Sequence, residues 1–286
     1  MNSGLGARIR FWGGYWLPSV LGSALGFIRR RKPVAAPAVL GVLLPEHMGD
    51  VVMTGPLLRS LRRRYPHARI MVAVPARLVG LLRGCPHVSD VLEWLPGRVA
   101  AMDLARRLRL AGCDLVVVPR SDPDRAWAPL VAARCGAPER VTLSAAVTVW
   151  ARLRRLQGWP FFNVPILPPH GVRHEVMRRL SLSTYWSGDP ADSALESWAT
   201  SADRDTVAPW IAGLPAGRLP VAFGLGASQP FRCWPAERFA ALIDQLDTLR
   251  PIAPVLVVGP GEKALALAVA GRVRTRIHLS SPGQPL

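Results

Sequence analysis

The sequence predicts an α/β protein built from two Rossmann-like domains, and three observations carry that reading. Apolar runs of strand character at positions 38–44, 69–75 and 114–119 alternate with segments whose apolar residues recur at helical spacing. The same alternation resumes at 219–225 and 254–258. Between the two series lies a polar, helix-poor stretch, 185–202, where a domain boundary is expected. Strands that alternate with helices require right-handed crossovers and a parallel sheet. The expected organisation is a separate segment over 1–32, a first domain over 33–185 and a second over 186–286.

In the first domain the strand at 38–44 turns into a helix whose buried stripe is Val51, Val52, Leu57, Leu58 and Leu61. Arg59, Arg62, Arg63 and Arg64 are expected on its outer face. Pro66 ends that helix, and 69–75 returns as a strand. A helix over 76–83, a short strand over 90–94, a helix from about 99 to 111 and a buried strand over 114–119 follow. After Val141 the pattern is broken by Pro160, Pro165, Pro168 and Pro169, and 174–182 then reads as a helix. The second domain begins with the strand 219–225, a Gly-Ala-Ser loop and a helix opened by Pro235, along which Phe239, Leu242, Ile243 and Leu246 recur at helical spacing. A strand over 254–258, an alanine-rich helix over 262–273 and a third strand over 276–279 complete it. Three strands make a thin sheet for a parallel domain covered on both faces.

Residues 11–28, FWGGYWLPSVLGSALGFI, carry no charge and are bracketed by Arg8 and Arg10 before them and by Arg29, Arg30, Arg31 and Lys32 after. The run is short for a membrane span, contains Pro18 and several glycines, and is basic at both ends. These features suit a segment lying among lipid headgroups with Trp12, Tyr15 and Trp16 as interfacial anchors. A short transmembrane helix, a cleaved signal peptide and a helix packed on the protein's own core compete with that reading. Four basic residues where a small-residue cleavage site should stand count against the signal peptide. Residues 33–37 read as a linker.

The chain has 286 residues, half of them apolar, and a formal charge of +17. Such an excess attracts anionic partners. Lys32 and Lys263 are the only lysines among the 36 basic residues, and Ala and Pro abound. The charge is therefore either compositional background or a complement to an anionic membrane or sugar phosphate. No aromatic residues interleave with the basic clusters and no nucleic-acid motif occurs, so no nucleic-acid partner is expected. Cys85, Cys113, Cys135 and Cys233 are far apart and form no CxxC, which signals neither zinc nor a disulfide framework and fits a reducing compartment. His170 and His174 are spaced to share a helix face, but no HExxH pattern includes them. A solvated or hydrogen-bonded pair is expected, and no metal site.

Ligands of open α/β sheets gather at the carboxyl ends of strands, and Glu46-His47-Met48-Gly49-Asp50 lies at such an end. Gly49 permits close approach of a substrate, and Asp50 is placed to take a proton from an attacking hydroxyl. The competing reading of Asp50 is the N-cap of the following helix. Gly224-Leu225-Gly226 lacks the third glycine of a dinucleotide fingerprint, which argues against NAD.

The run VLLPEHMGDVVMTGPLLRSLRRRYPHARIMVAVP, continued by GCPHVSDVLEW, resembles the start of the family 9 glycosyltransferases, the bacterial heptosyltransferases of lipopolysaccharide assembly. A second anchor is Gly226-Ala227-Ser228 followed by FRCWPAERF at 231–239. It resembles that family's Gly-Ala-Ser loop and Lys-x-Trp-Pro-x-x-x-Phe helix start. The resemblance covers most of residues 38–286, and the two motifs stand in the family's order and at family-like separation. The resemblance implies a GT-B fold and inverting, metal-independent transfer of a heptose or related sugar. The donor would be a nucleotide-sugar, ADP-heptose being the expected one, and the acceptor an anionic lipid-linked sugar of the lipopolysaccharide core. No cofactor beyond the donor substrate is implied. The enzyme would work at the cytoplasmic face of the inner membrane, held there by residues 8–32.

The resemblance makes Asp50 the general base. Arg232 stands where the family has a lysine on the donor's phosphates, keeping the charge in a planar, forked form. Ser228 and the helix opening at Pro235 would add a hydroxyl and a positive dipole end. Glu262 matches loosely the acidic residue that related enzymes use on the nucleoside ribose. For the acceptor, Arg120 follows a buried strand, and Arg59 and Arg63 project from the first helix. The bland alternatives are solvated arginines and, for Trp234-Pro235, a helix-start packing motif. Family members continue past the position of Leu286 with an Asp-Ser/Thr-Gly-x-x-His segment, so the second domain is expected to be incomplete. The rival to an enzyme is accordingly a truncated, non-catalytic, membrane-associated remnant that binds glycolipid without turnover.

Overall fold

The computed structural model describes residues 36–45, 47–120, 127–143, 161–186, 192–227, 230–259 and 261–280. The segment 8–32, which is expected to meet lipid, lies outside the described residues, as do Glu46, Ser228 and the final 281–286. The chain divides into two compact units, Met1–Trp198 and Ala199–Leu286.

In the first unit β1 (Val39–Leu43), α1 (Met48–Arg64), β2 (Arg69–Pro75), β3 (Asp90–Trp94), α2 (Arg98–Leu110) and β4 (Leu115–Val118) follow one another. They are succeeded by α3 (Ala128–Arg134), β5 (Glu139–Leu143), β6 (Val164–Ile166) and α4 (Glu175–Leu180). The six strands form one parallel sheet in the order β3-β2-β1-β4-β5-β6. Leu40 and Val42 turn to one face with Val51, Leu57, Leu58 and Leu61 of α1. Leu43 turns to the other with Leu104 and Leu108 of α2. Both faces are covered, which is why these strands read as nearly unbroken apolar runs. At Gly41 a side chain would meet Leu108 and Val116 at 3.3 Å, so its absence lets α2 lie close on the sheet.

Several expectations give way in this unit. Residues 76–83 form two 3-10 turns, Ala76–Leu78 and Gly80–Leu82, in place of the expected helix, with Gly80, a poor helix former, opening the second. The helix near 174 begins at Glu175, so His170 and His174 do not share a helix face, and both are exposed. Arg59 does not face outward. It is buried, pairing with Asp192 at 2.8 Å and with Glu196, and it donates to the carbonyls of Asp192 and Ala194 at 3.2 and 2.9 Å. Residues 192–198 thereby belong to the first unit, with Trp198 in its core. The division falls after Trp198, inside the polar 185–202 stretch and beyond the boundary expected at 185.

The second unit contains α5 (Ser201–Ala212), β7 (Leu219–Gly224), α6 (Ala236–Leu249), β8 (Ile252–Val257), α7 (Lys263–Ala270) and β9 (His278–Leu279). Its three strands are parallel in the order β7-β8-β9. Phe223, Ile252 and Leu256 pack with Ile243 of α6 and Val269 of α7. Arg218 donates to the Ile252 carbonyl at 2.7 Å and pairs with Asp247, whose Oδ1 accepts from the Ile252 amide at 3.0 Å. This clamps the start of β8. Helix α5 was not foreseen. It opens on a capping box in which the Asp203 amide donates to Thr200 Oγ1 at 3.2 Å and the Thr200 amide to Asp203 Oδ2 at 2.7 Å, and it buries no residue.

Candidate functional site

The strand order of the first sheet reverses between β1 and β4, and the carboxyl ends of those strands are where an open α/β sheet holds its ligands. Asp50 follows β1, and Arg120 follows β4. The reversal brings them together, with Arg120 Nη1 donating to Asp50 Oδ1 at 3.2 Å. Thr142 of β5 steadies the Arg120 backbone by donating to the carbonyls of Val118 and Arg120 at 3.0 and 3.1 Å. His47, not Asp50, is the N-cap of α1. Asp50 is the third helical residue, and its Oδ2 reaches back to accept from the His47 amide at 3.3 Å. The bond to the helix cap and the bond to Arg120 thus fall on different oxygens of one carboxylate. Apart from its chain neighbours and the helix backbone, no described atom lies within 4 Å of where a Cβ at Gly49 would stand, and Gly49 is exposed.

A residue that the sequence did not single out completes this cluster. Arg179 on α4 is 0% exposed, and its Nη2 donates to Asp50 Oδ1 at 2.5 Å. Its Nη1 donates to the Asp50 carbonyl at 2.6 Å and to Thr54 Oγ1 at 2.7 Å, and its Nε to Glu175 Oε1 at 3.2 Å. The available signal was helical periodicity: Val176, Arg179 and Leu180 lie on one buried face of α4. An arginine on that face needs a partner.

The acceptor candidates fare differently from one another. Arg120 joins the Asp50 cluster, with its side chain 26% exposed. Arg63 is 67% exposed and stands 3.5 Å from Asp192. Arg59 is committed to the buried pairs that hold 192–198 against α1, so its guanidinium is not presented to solvent.

In the second unit Glu262 lies just before α7, at the carboxyl end of β8, and its Oε2 accepts from the Gly259 amide at 2.8 Å. The carboxylate also lies against Gly226, in the loop after β7, so the loops after the first two strands meet through it. Arg232 ends the 3-10 turn Pro230–Arg232, is exposed, and lies 5.6 Å from the ring centroid of Phe231. Trp234 packs edge-on against Phe239, centroids 5.2 Å apart, across the Pro235 cap. This is a hydrophobic staple that fixes the entry of α6. The packing role foreseen for Trp234-Pro235 is therefore real, and it leaves the amino end of α6 beside Arg232.

Burial pushes the Cys113 thiol up to about 12 and raises those of Cys135 and Cys85, so these three are core packing groups rather than nucleophiles. Among the described residues, no three His, Cys, Asp or Glu side chains are grouped to hold a metal ion.

No family model matches the chain, and no curated protein matches it. Solved structures do. A glycosyl transferase family 9 protein from Veillonella parvula is similar over 86% of this chain and 69% of that one, with 22% identity and a TM-score of 0.69. ADP-heptose lps heptosyltransferase II of E. coli is similar over 84% and 71%, with 21% identity and a TM-score of 0.64. E. coli heptosyltransferase WaaC with ADP is similar over 86% and 75%, with 17% identity and a TM-score of 0.58. At these identities the likeness is one of fold, and the fold of this chain is of the GT-B type.

Proposed function

We propose that this chain is a glycosyltransferase that moves a heptose or related sugar from a nucleotide donor, ADP-heptose by resemblance, to an anionic lipid-linked acceptor of the lipopolysaccharide core. The observation that carries the reading is the meeting of Asp50 and Arg120 at the strand-order reversal of the first sheet. A carboxylate held there is suited to take the acceptor's hydroxyl proton as the oxygen attacks the anomeric carbon. The bond to the donor's phosphate breaks on the opposite side, giving inversion. Arg120 and Arg63 are the candidates for the acceptor's negative charge. Arg59 is withdrawn from that role by its buried pairs.

In the second unit Arg232, Ser228 and the amino end of α6 would meet the charge of the pyrophosphate without a metal, and Glu262 would accept from the ribose hydroxyls. Residues 8–32 would hold the enzyme at the cytoplasmic face of the inner membrane. Flotation with anionic vesicles, lost when residues 1–32 are deleted, tests that part.

The test of the chemistry is Asp50→Asn, assayed for transfer from ADP-heptose to a lipopolysaccharide-core acceptor. Asparagine keeps an oxygen for Arg179 and Arg120. Alanine would leave Arg179 and Arg120 with no side-chain acceptor at this position, Glu175 alone remaining on Arg179 Nε, and cost about 3 to 5 kcal/mol of stability. Turnover is expected to fall by about 10²-fold or more, with a smaller loss of melting temperature than in Asp50→Ala, because asparagine loses the charge but keeps an acceptor. Full turnover by Asp50→Asn removes Asp50 from the mechanism.

A further inference from the structure

Among the described residues, Arg179 is the bulkiest side chain wholly withdrawn from water. Burying a guanidinium is costly, and a pair of apolar residues often stabilises such a position as well or better. A reason other than packing is therefore needed, and the bonding pattern supplies one. Three of its contacts converge on one turn of α1: the Asp50 carbonyl, the Thr54 hydroxyl and Asp50 Oδ1. Thr54 Oγ1 in turn donates to the Asp50 carbonyl at 2.7 Å. Backbone and carboxylate of Asp50 are thus gripped by the same planar fork, which fixes the rotation of the side chain.

The two carboxylate oxygens are left unequal. Oδ1 accepts from both Arg179 and Arg120, at 2.5 and 3.2 Å. Oδ2 has the longer contact with the His47 amide, 3.3 Å, and the Asp50 side chain keeps 13% of its surface exposed. We infer that Arg179 is a positioning residue that saturates Oδ1 and presents Oδ2 as the oxygen that receives the acceptor's proton. This rests on the transferase reading above. In the step, the acceptor O–H bond breaks and its proton passes to Oδ2. The acceptor oxygen bonds the anomeric carbon, and the nucleoside diphosphate leaves with the electron pair of the broken C–O bond. Arg179 touches neither substrate and acts through Asp50. Arg120, bonded to the carboxylate through one nitrogen and partly exposed, does not share that grip on the backbone.

The experiment uses the full chain with ADP-heptose and a lipopolysaccharide-core acceptor. In Arg179→Lys the charge stays, but a single ammonium cannot hold the carbonyl, the hydroxyl and Oδ1 in the same geometry. Its kcat is expected to fall about tenfold or more while KM for both substrates stays within about twofold, the signature of a misplaced reacting group. Leu108→Ala, on the opposite face of the sheet, serves as the stability control: it lowers the melting temperature yet keeps kcat when assayed below it. Thr54→Val removes one anchor of the fork and leaves Arg179 in place, and its kcat is expected to fall about threefold. This second variant decides the matter if Arg179→Lys does not fold. Wild-type kcat in Arg179→Lys, or in Thr54→Val should the lysine variant be unfolded, overturns the inference while loss of turnover in Asp50→Asn leaves the transferase reading standing. Absence of transfer by the wild-type chain overturns both.

Discussion

The carboxylate of Glu262 fills the place that a side chain at Gly226 would take: a Cβ there would stand 1.7 Å from Glu262 Oε1. The same carboxylate accepts from the Gly259 amide, so one acidic group binds the loops that follow β7 and β8. Glycine at 226 is required by this contact rather than by backbone strain, since its φ is not in the left-handed region.

Gly226→Ala is therefore expected to expel Glu262 rather than to unfold the unit, because the obstructing atoms are the end of a flexible side chain. Loss of the bond to Gly259 should cost about 1 kcal/mol. If Glu262 reaches the donor's ribose, ADP affinity measured by titration calorimetry should drop about tenfold, and Glu262→Ala should match it. Undiminished ADP binding in both variants would take Glu262 out of the donor site.

Arg59 and Arg63 should separate cleanly in denaturant melts. Arg59→Ala removes the buried cation from Glu196 and Asp192, leaving them His87 and the exposed Arg63, and is expected to cost about 3 kcal/mol. Arg63→Ala, at a largely exposed position, should change stability by less than about 0.5 kcal/mol. If Arg63 serves the acceptor, its substitution should raise the acceptor KM alone.

Acid should loosen the strap formed by 192–198. Burial alone would raise the Glu196 carboxyl, but hydrogen bonds from Trp198, Arg59 and His87 outweigh it and bring the group down to about 2. A carboxylate lowered on folding adds stability that is fully present above its unfolded value near 4.5, and that stability is lost as pH falls towards 2. The urea midpoint of the wild-type chain should exceed that of Glu196→Gln at pH 6, with the gap narrowing steadily between pH 4.5 and pH 2. A gap that does not depend on pH would refute this assignment.

Gly55 sits inside α1 where Trp198 packs, and a Cβ there would stand 2.9 Å from Trp198 Cζ2. In an exposed helix, Gly→Ala gains about 1 kcal/mol. Here overpacking against a rigid ring should reverse the sign and cost about 1 to 3 kcal/mol in a urea melt. A stabilised Gly55→Ala variant would mean that the ring yields.

Strands buried on both faces were legible because their composition is uniform and their flanking turns are marked. β2 is such a strand and runs over Arg69–Pro75 as the pattern indicates; the less buried edge strand β3 runs over Asp90–Trp94, and the position of Asp50 beyond the carboxyl end of a strand follows from β1 alone. Helix α5 buries nothing and so has no apolar stripe for a sequence pattern to mark. Its Thr200–Asp203 capping signature was the one local clue. Trp234 and Phe239 are close in sequence, and their staple could be foreseen as a packing motif for that reason.

Local pattern alone thus decided the alternation of strands and helices, the parallel sheets it requires, and the strand end near which Asp50 lies. Tertiary structure decided which arginines are solvated and which are committed. Arg59 meets Glu196 from 137 residues away, and Arg179 meets Asp50 from 129. A guanidinium can be buried only where a carboxylate and carbonyls are already gathered to receive it, and that gathering is produced by the packing of α4 and the 192–198 strap on α1. No periodicity within either segment encodes it.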